Sequence, residues 1–376
     1  MKNERRNDLD WLRVLVFALL IFYHVGMFFV PWGWHLKNNV IYEWLKWPML
    51  FLNQWRLPIL FLISGMGTYY ALGKRSWGKF SRERLLRLGL PLIAGMLLIV
   101  PPQVYYERLG EGSFSGSYLE FQDIAFQGIY PEGNLSWHHL WFLPYLLLFS
   151  LLLSPVLVGI ARRPGKFMGW IRRLLQRPGN LYLLVVPLYL IEVLLEPFFP
   201  VNHALIGDWF NLAFSGFLFF LGFILIGAGP QFWESLEKIR KTALAVGVLA
   251  FAGLLFIWLV LTDSLLVHLI EGAVKVVNLW SWILVLLAYA SKMLNRPSKA
   301  LAYANRAVYP FYILHQTITV ALAYQLMDRD WGLLPKALIL ILGTFGLSWA
   351  IYDLIILRVS WLHPLFGLKP KRKLAA

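Results

Sequence analysis

The first long apolar segment of the chain carries two side chains that are able to do chemistry, Arg13 and His24. Eleven steps of about 100° on an α-helix make three turns plus about 20°, so both side chains share one face, roughly 16 Å apart along the axis. An imidazole at membrane depth can accept a proton, and a guanidinium binds anions. The spacing is also compatible with an arginine that reaches the membrane surface and a histidine that is hydrogen-bonded to another helix.

The second apolar segment carries a further cation, Arg56, in the outer part of the predicted membrane region and close in depth to His24. A cation at that depth needs an anionic partner or water, which favours a functional role. Ser64 and Gly65 lie further along the same segment, and their small side chains favour close packing between helices.

The basic segment that follows contains Arg84 and Arg87, three positions apart. Residues at this spacing are neighbours on a helix, so the two guanidinium groups form a fork that fits a phosphate. Contact with anionic lipid and a role in membrane topology explain the same pattern. Both interpretations place the pair at the cytoplasmic surface.

The ninth apolar segment has a polar stripe with His315 beside it. Its members follow one another at i, i+4, i+7 and i+11, which is one face of a helix: Asn305, Tyr309, Tyr312 and Gln316. The fourth apolar segment begins with two adjacent histidines, His138 and His139. Neighbouring residues on a helix point in different directions, so this pair is poorly suited to a metal ion, and we predict no metal site.

Several carboxylates also fall within the apolar segments. Glu271 and Lys275 are four positions apart, which predicts a structural ion pair on one helix. Glu192 and Asp353 have no obvious partner in the sequence. Either of them is a candidate to orient an imidazole.

The composition shows what must position these residues. The chain has 376 residues, of which 59% are hydrophobic and 15% charged, against about 25% charged in soluble domains. Apolar runs of roughly 18 to 25 residues predict membrane-spanning helices. We predict an all-α polytopic protein, a single membrane-embedded domain over residues 1–376, with ten spans near 12–31, 47–72, 88–106, 138–158, 179–197, 212–230, 242–262, 267–290, 306–327 and 334–357.

The basic residues predict the orientation of these spans. Of the 35 Lys and Arg residues, 28 lie at one side of the predicted spans, which identifies that side as cytoplasmic. Both termini are then cytoplasmic, the membrane is a bacterial inner membrane, and the long segment 107–137 lies outside. This distribution explains the net charge of +15 without a nucleic-acid partner. The absence of cysteine excludes disulfides and thiolate chemistry.

Together these residues resemble the membrane acyltransferase 3 family. The resemblance rests on the order and spacing of five motifs across nearly the whole chain: Arg13-x10-His24, FLISG at 61–65, RLLR at 84–87 followed by GLPL, HLWFL at 139–143, and YILH at 312–315. Within the family, the segment from DLDWLR to Trp34-His35 and the pair Tyr352-Asp353 resemble a branch that adds succinyl groups to exported periplasmic glucans.

The resemblance implies acyl transfer from a cytoplasmic acyl-CoA to a hydroxyl of an extracytoplasmic glycan, without a permanently bound cofactor. It implies that His24 is the catalytic histidine, as a general base or as a carrier of the acyl group. It assigns the CoA phosphates to Arg13, Arg84 and Arg87. His315 is the next catalytic candidate.

Arg56 has two candidate roles in this scheme: it stabilises the developing oxyanion, or it holds the free carboxylate of a succinyl group. We expect the ends of the helices and the segment 107–137 to bind the acceptor. The acyl group, acetyl or succinyl, and the oligomeric state are left open.

Two other classes of function share part of this pattern. A transporter or flippase for a lipid-linked glycan also needs many spans and buried charges, although inverted repeats and broken helices are not evident. A scaffold or sensor without chemistry is disfavoured by the number of ionisable groups within the apolar segments. Binding of CoA distinguishes the enzyme from the flippase, since a flippase has no need of CoA.

Overall fold

The computed structural model describes residues 5–73 and 75–369, and these residues form helices joined by loops. The described residues form no β-strand. Their β-structure is limited to one isolated bridge between Ile129 and Leu135. This confirms the predicted all-α fold. Residues 1–4, 74 and 370–376 lie outside the described part of the chain. They include some of the basic residues on which the predicted orientation rests, namely Lys2, Lys74 and most of the basic tail.

Ten long helices account for most of the described chain, and each predicted span falls on one of them. They are α1 Asn7–Met27, α2 Glu43–Leu72, α3 Trp77–Glu111, α4 His138–Arg162, α5 Pro178–Leu195, α6 Trp209–Ala228, α7 Pro230–Val260, α8 Leu265–Met293, α9 Lys299–Leu326 and α10 Leu333–Ile356. Nine of these, within the described residues, are long and apolar enough to cross a membrane. The other, α9, has 28 residues, and its polar stripe lowers its hydropathy.

Two helices contain widened, π-helical turns. In α3 these turns are Leu85–Gly89 and Gly95–Ile99, and in α10 the turn is Ile351–Ile356. Such turns are rare and often occur at functional sites, since they rotate the following side chains relative to a regular helix. The first of them begins directly after Arg84, so Arg84 and Arg87 are not at the regular α-helical i,i+3 spacing that the sequence predicted.

The chain forms two compact units. The first unit comprises Met1–Arg13, Phe51–Arg82 and Tyr145–Leu301, and the second comprises Val14–Leu50, Glu83–Pro144 and Ala302–Ala376. Helix α1 contributes its first residues to the first unit and the rest, with His24, to the second.

The first unit contains a close helix contact based on glycine. A Cβ atom at Gly65 of α2 would lie 1.8 Å from the backbone oxygen of Phe219 of α6. A Cβ atom at Gly222 of α6 would lie 2.0 Å from the backbone oxygen of Leu62 of α2. The two backbones therefore approach at a distance that only glycine allows, which confirms the predicted packing role of Gly65.

An ion-pair cluster lies elsewhere in the first unit. The Lys275 ammonium is 2.9 Å from Glu271, which confirms the predicted i,i+4 pair, and 3.6 Å from Glu192. The indole of Trp258 donates a hydrogen bond to Glu271 at 2.8 Å. Glu192 therefore has a partner that the sequence did not reveal, because the partner is on another helix.

In the second unit, an apolar core fixes α1 against α9 and α10. Phe28 and Phe29, which follow the end of α1, are fully buried and pack in one cluster with Val320 and Leu340. Lys37 donates hydrogen bonds to the carbonyl oxygens of Met27, Val30 and Trp32, which caps the carboxyl end of α1. These contacts hold the loop after α1 in place. They thereby help to position His24, just before the loop, and His35, within it.

Candidate active site

Three imidazoles lie next to one another inside the second unit. His24 comes from α1, His139 from the start of α4 and His315 from α9. The ring of His315 lies 5.2 Å from the ring of His24 and 5.2 Å from the ring of His139, measured between centroids. His139 and His315 are 6% and 1% exposed, whereas His24 is partly exposed, so the His139–His315 end of the cluster is shielded from bulk water. We refer to these three residues as the histidine cluster.

The hydrogen bonds of His315 define which of its nitrogens carries the proton. Its Nδ1 lies 2.8 Å from the carbonyl oxygen of Tyr312 and 3.2 Å from that of Phe311. A carbonyl only accepts hydrogen bonds, so Nδ1 is the protonated nitrogen. In the neutral ring, Nε2 is then the basic nitrogen of His315.

His139 is fixed by partners on both sides of its ring. Its Nε2 donates to the carbonyl oxygen of Ile313 at 3.0 Å, and its Nδ1 accepts from the amide of Gln103 at 3.3 Å. The Gln103 amide also donates to the hydroxyl of Thr317 at 2.7 Å, and this hydroxyl donates to the carbonyl oxygen of Ile99 at 2.6 Å. Both nitrogens of His139 are therefore occupied, which suits a residue that positions its neighbours.

The polar stripe of α9 faces these groups, as its spacing predicted for Tyr312 and Gln316. The Tyr312 hydroxyl donates to the backbone oxygen of His139 at 2.5 Å, and its ring lies 5.3 Å from that of Phe17. The Gln316 amide lies 2.7 Å from Nε2 of His35. Tyr312 thus ties α9 to the start of α4, which brings His139 and His315 together.

An apolar cavity of about 180 Å³ leads to the histidine cluster within the second unit. Helix α1 contributes residues from Val14 to Ile21, α9 contributes residues from Tyr303 to His315, and α10 contributes Phe345. The twelve steps from Tyr303 to His315 correspond to roughly 18 Å along the helix axis. The cavity therefore extends along α9 as far as His315, and its apolar lining suits a flexible chain of low polarity.

A second polar group, formed by His35, Glu107, Tyr130 and His138, lies in the same unit. In the predicted orientation it is on the outer side of the membrane. Nδ1 of His35 is 2.5 Å from Glu107, and the hydroxyl of Tyr130 donates to the other Glu107 oxygen at 2.8 Å. The ring of His138 lies 4.6 Å from that of His35 and 4.7 Å from that of Tyr130. Burial and the Glu107 charge raise the pKa of the Tyr130 hydroxyl, which keeps it protonated as a donor.

The predicted arginines are distributed over both units. Arg13 lies in the first unit, 3.4 Å from Asp10, and Arg56 is buried in the same unit at 3% exposure. Arg84 and Arg87 lie in the second unit, and both charges act on the hydroxyl of Tyr309. The structure thus brings His24, His315 and the Arg84–Arg87 pair into one unit. The roles of all six predicted residues, Arg13 and Arg56 included, stay predictions.

Six polar residues that form or support the two groups were not singled out as site residues from the sequence: His35, Gln103, Glu107, Tyr130, His138 and His139. Of the predicted carboxylates, Glu192 pairs with Lys275, and Asp353 accepts a hydrogen bond from Tyr303 at 3.3 Å. Glu107, by contrast, contacts the imidazole of His35, which is 72 positions away in the sequence. The available signal was weak: Glu107 is the first acidic residue after a long apolar run, and it was read as part of the outer loop.

The fold and the site define a class of protein, a polytopic membrane protein with a buried histidine cluster at the end of an apolar cavity. A model of the acyltransferase 3 family, described as an acyltransferase domain, matches residues 6–353. The chain therefore belongs to the acyltransferase 3 family of membrane acyltransferases, as its motifs predicted.

Curated relatives match over the whole length. The chain is 24% identical to "Glucans biosynthesis protein C" of Salmonella paratyphi B over 389 aligned residues, which cover 98% of this chain and 96% of the relative. The proteins of the same name from Salmonella dublin and Salmonella schwarzengrund match with the same identity and coverage. No solved structure matches the chain.

Proposed function

We propose that this chain is a membrane O-acyltransferase that moves an acetyl or succinyl group from acyl-CoA to a hydroxyl of an extracytoplasmic glucan. The observation that carries the proposal is the pair His24 and His315, of which His315 lines an apolar cavity, in a chain of the acyltransferase 3 family. The name of the relatives, with its reference to glucans, supports the acceptor class. We place the protein in a bacterial inner membrane, with both termini in the cytoplasm.

His24 acts as the general base in this proposal. It removes the proton of the acceptor hydroxyl while the hydroxyl oxygen attacks the thioester carbonyl carbon. The C–S bond then breaks, and the departing sulfur takes the proton from the His24 imidazolium, which gives an ester and free CoA. The basic Nε2 of His315 stabilises the imidazolium, because an adjacent neutral imidazole accepts a hydrogen bond from it.

The donor enters from the cytoplasmic side. Arg84 and Arg87 lie near Tyr309, on the same helix as His315, and two guanidinium groups suit the phosphates of CoA. The apolar cavity receives the thin pantetheine arm, so that the thioester arrives at the histidine cluster. Arg13 adds a further phosphate contact, and Arg56 holds the carboxylate when the acyl group is succinyl.

The decisive experiment measures CoA release and glucan acylation together. Purified full-length protein in proteoliposomes is mixed with acetyl-CoA or succinyl-CoA and a glucan oligosaccharide. We expect thiol release and a mass increase of the glucan with wild type, and neither with His24→Ala. A matched control is His268→Ala, because His268 lies in α8 of the first unit and contacts the Val193 backbone; it should keep full activity.

Donor binding distinguishes this enzyme from a glycan flippase. We expect labelled acyl-CoA to bind wild type and His24→Ala equally, and to bind the double variant Arg84→Ala/Arg87→Ala at least about tenfold more weakly. A chain that binds none of the common acyl-CoA donors and moves a lipid-linked glycan between leaflets would be a flippase. Full transfer activity in His24→Ala would refute the catalytic role of this histidine.

An intact-mass measurement separates the two chemical roles of His24. With donor alone, a general base leaves the protein unmodified, whereas a nucleophile adds the mass of one acyl group to it. We expect no adduct. A stable adduct that is absent in His24→Ala would replace the general base with an acyl-histidine mechanism.

A further inference from the structure

We propose that His35, Glu107 and His138 of the second polar group form a binding site for one divalent transition-metal ion such as Zn²⁺. One nitrogen of each imidazole and one carboxylate oxygen lie within 4.8 Å of one another. Two imidazoles and a carboxylate are a ligand set that Zn²⁺ uses in proteins, with a fourth position left for water or substrate. The inference does not depend on the proposed acyl transfer.

The first support for a metal site is the unsatisfied ring nitrogen of His138. Its Nε2 is buried, and it finds no hydrogen-bond partner among residues 5–73 and 75–369. A buried polar nitrogen without a partner is costly, so it points to a ligand that completes it. The backbone of His138 has a φ of +37°, in the left-handed region that residues other than glycine rarely adopt, and such backbone strain is concentrated at functional sites.

The second support is the surroundings of the other two ligands. Glu107 is 3% exposed, and buried charges in proteins are paired or coordinate metals. The Tyr130 hydroxyl already holds one Glu107 oxygen, which leaves the other oxygen to face His35. Outer hydrogen bonds of this kind orient carboxylates that bind metals.

The third support is Gln316, whose amide nitrogen lies 2.7 Å from Nε2 of His35 and whose side-chain oxygen is buried without a partner in the described part of the chain. For Nδ1 of His35 to bind a metal, its proton must move to Nε2. A half-turn of the Gln316 amide then lets the side-chain oxygen accept from Nε2, which is the arrangement that metal-binding histidines commonly show. Metal binding thus satisfies Nε2 of His138 and is compatible with the side chain of Gln316.

This proposal differs from the sequence prediction of no metal site. That prediction considered the adjacent pair His138 and His139, and the structure does turn their rings to different partners: His139 to Gln103, and His138 to Tyr130 and His35. The proposed ligands come instead from three distant segments. A metal ion would therefore join the loop after α1, the end of α3 and the start of α4.

The experiment measures metal content and does not use activity. The full-length protein is purified with an affinity tag that contains no histidine, stripped with a chelator, incubated with Zn²⁺ and freed of excess metal. We expect mass spectrometry of the metal to find one Zn²⁺ per chain in wild type and a loss of at least tenfold in His138→Gln. His203→Gln, in a loop of the first unit, is the matched control and should retain the metal.

Thermal unfolding gives a second reading for variants that are hard to purify. Zn²⁺ should raise the unfolding temperature of stripped wild type, since a ligand that binds the folded state stabilises it, and should leave that of His138→Gln and Glu107→Gln unchanged. Equal zinc content in wild type and His138→Gln, or no zinc in wild type after incubation, would overturn the proposal.

Discussion

The two compact units bury polar side chains in different ways. In the first unit, the cluster of Glu192, Glu271 and Lys275 combines opposite charges at 2.9 and 3.6 Å. In the second unit, the histidine cluster brings together groups of the same kind, whose rings lie 5.2 Å apart beside an apolar cavity. Opposite charges neutralise one another and resist change, whereas a neutral imidazole can take up a proton on one ring nitrogen while the other keeps its hydrogen bond.

The backbones of the two units differ in a corresponding way. The first unit contains the close glycine contact between α2 and α6. The second unit contains the π-helical turns of α3 and α10. Close glycine packing leaves little freedom of movement, while widened turns adjust the direction of single side chains. We infer that the first unit is chiefly a scaffold and that the second unit carries the chemistry.

The largest effect is expected for Gly65→Ala in the first unit. Its Cβ atom would lie 1.8 Å from a backbone oxygen, and a backbone cannot yield as a side chain can. The cost should exceed the about 1–3 kcal/mol that is typical of overpacked cores. Size-exclusion chromatography after heating should show little folded protein. Gly67→Ala is the control two residues away, since a Cβ atom there meets nothing within 4 Å; it should be as stable as wild type or slightly more stable.

The features of the first unit were easier to predict from the sequence than those of the second. The packing role of Gly65 and the pair Glu271–Lys275 were predicted, because small residues and i,i+4 spacing act within or along one helix. The ten helices were predicted because apolar runs of their length have few other structures in a membrane. These features depend on local pattern.

The site required contacts between distant segments. His24 and His315 were identified separately as candidates, but their proximity depends on how α1 packs against α9. His35 and Glu107 are 72 positions apart, and hydrophobic periodicity carries no information on which helices touch. The π-helical turn after Arg84 was not predicted either, although it ends at Gly89, a poor helix former, and lies just before Pro91, which lacks the N–H of a regular helical hydrogen bond.

The second largest effect is expected for His315→Gln, which tests the chemical role of the second unit. Loss of the imidazole beside His24 should reduce transfer about 10²–10⁴-fold, the range of general acid–base catalysis. The unfolding temperature should stay near that of wild type, because glutamine preserves the volume and a polar group. The measurement is the rate of glucan acylation per folded molecule at saturating donor. Activity close to that of wild type would remove His315 from the site and break the contrast between the units.

A smaller effect is expected for Lys275→Met in the first unit. The substitution leaves Glu192, which is 8% exposed, without its counter-charge, and should lower the free energy of unfolding by about 2 kcal/mol after allowance for the partial exposure of Lys275. Activity per folded molecule should not change. The double variant Lys275→Met/Glu192→Gln should recover part of the stability, which thermal unfolding would report. A loss of activity without loss of stability would instead give this cluster a part in catalysis.

The smallest effect concerns pH and a histidine of the first unit that lies outside the membrane helices. Burial lowers the pKa of His203 to about 4, below its usual value of 6.5. Between these values the unfolded chain binds a proton at this position and the folded chain does not, so stability falls as the pH decreases from about 6.5 toward 4. The unfolding temperature of wild type should therefore drop more steeply over this range than that of His203→Gln.

Because His24 and His315 are unchanged in both proteins, the pH dependence of acyl transfer should be the same for wild type and His203→Gln. Equal slopes of stability would show that His203 does not contribute, whereas a shifted activity profile would mean that a titrating group of the first unit acts on the chemistry assigned to the second.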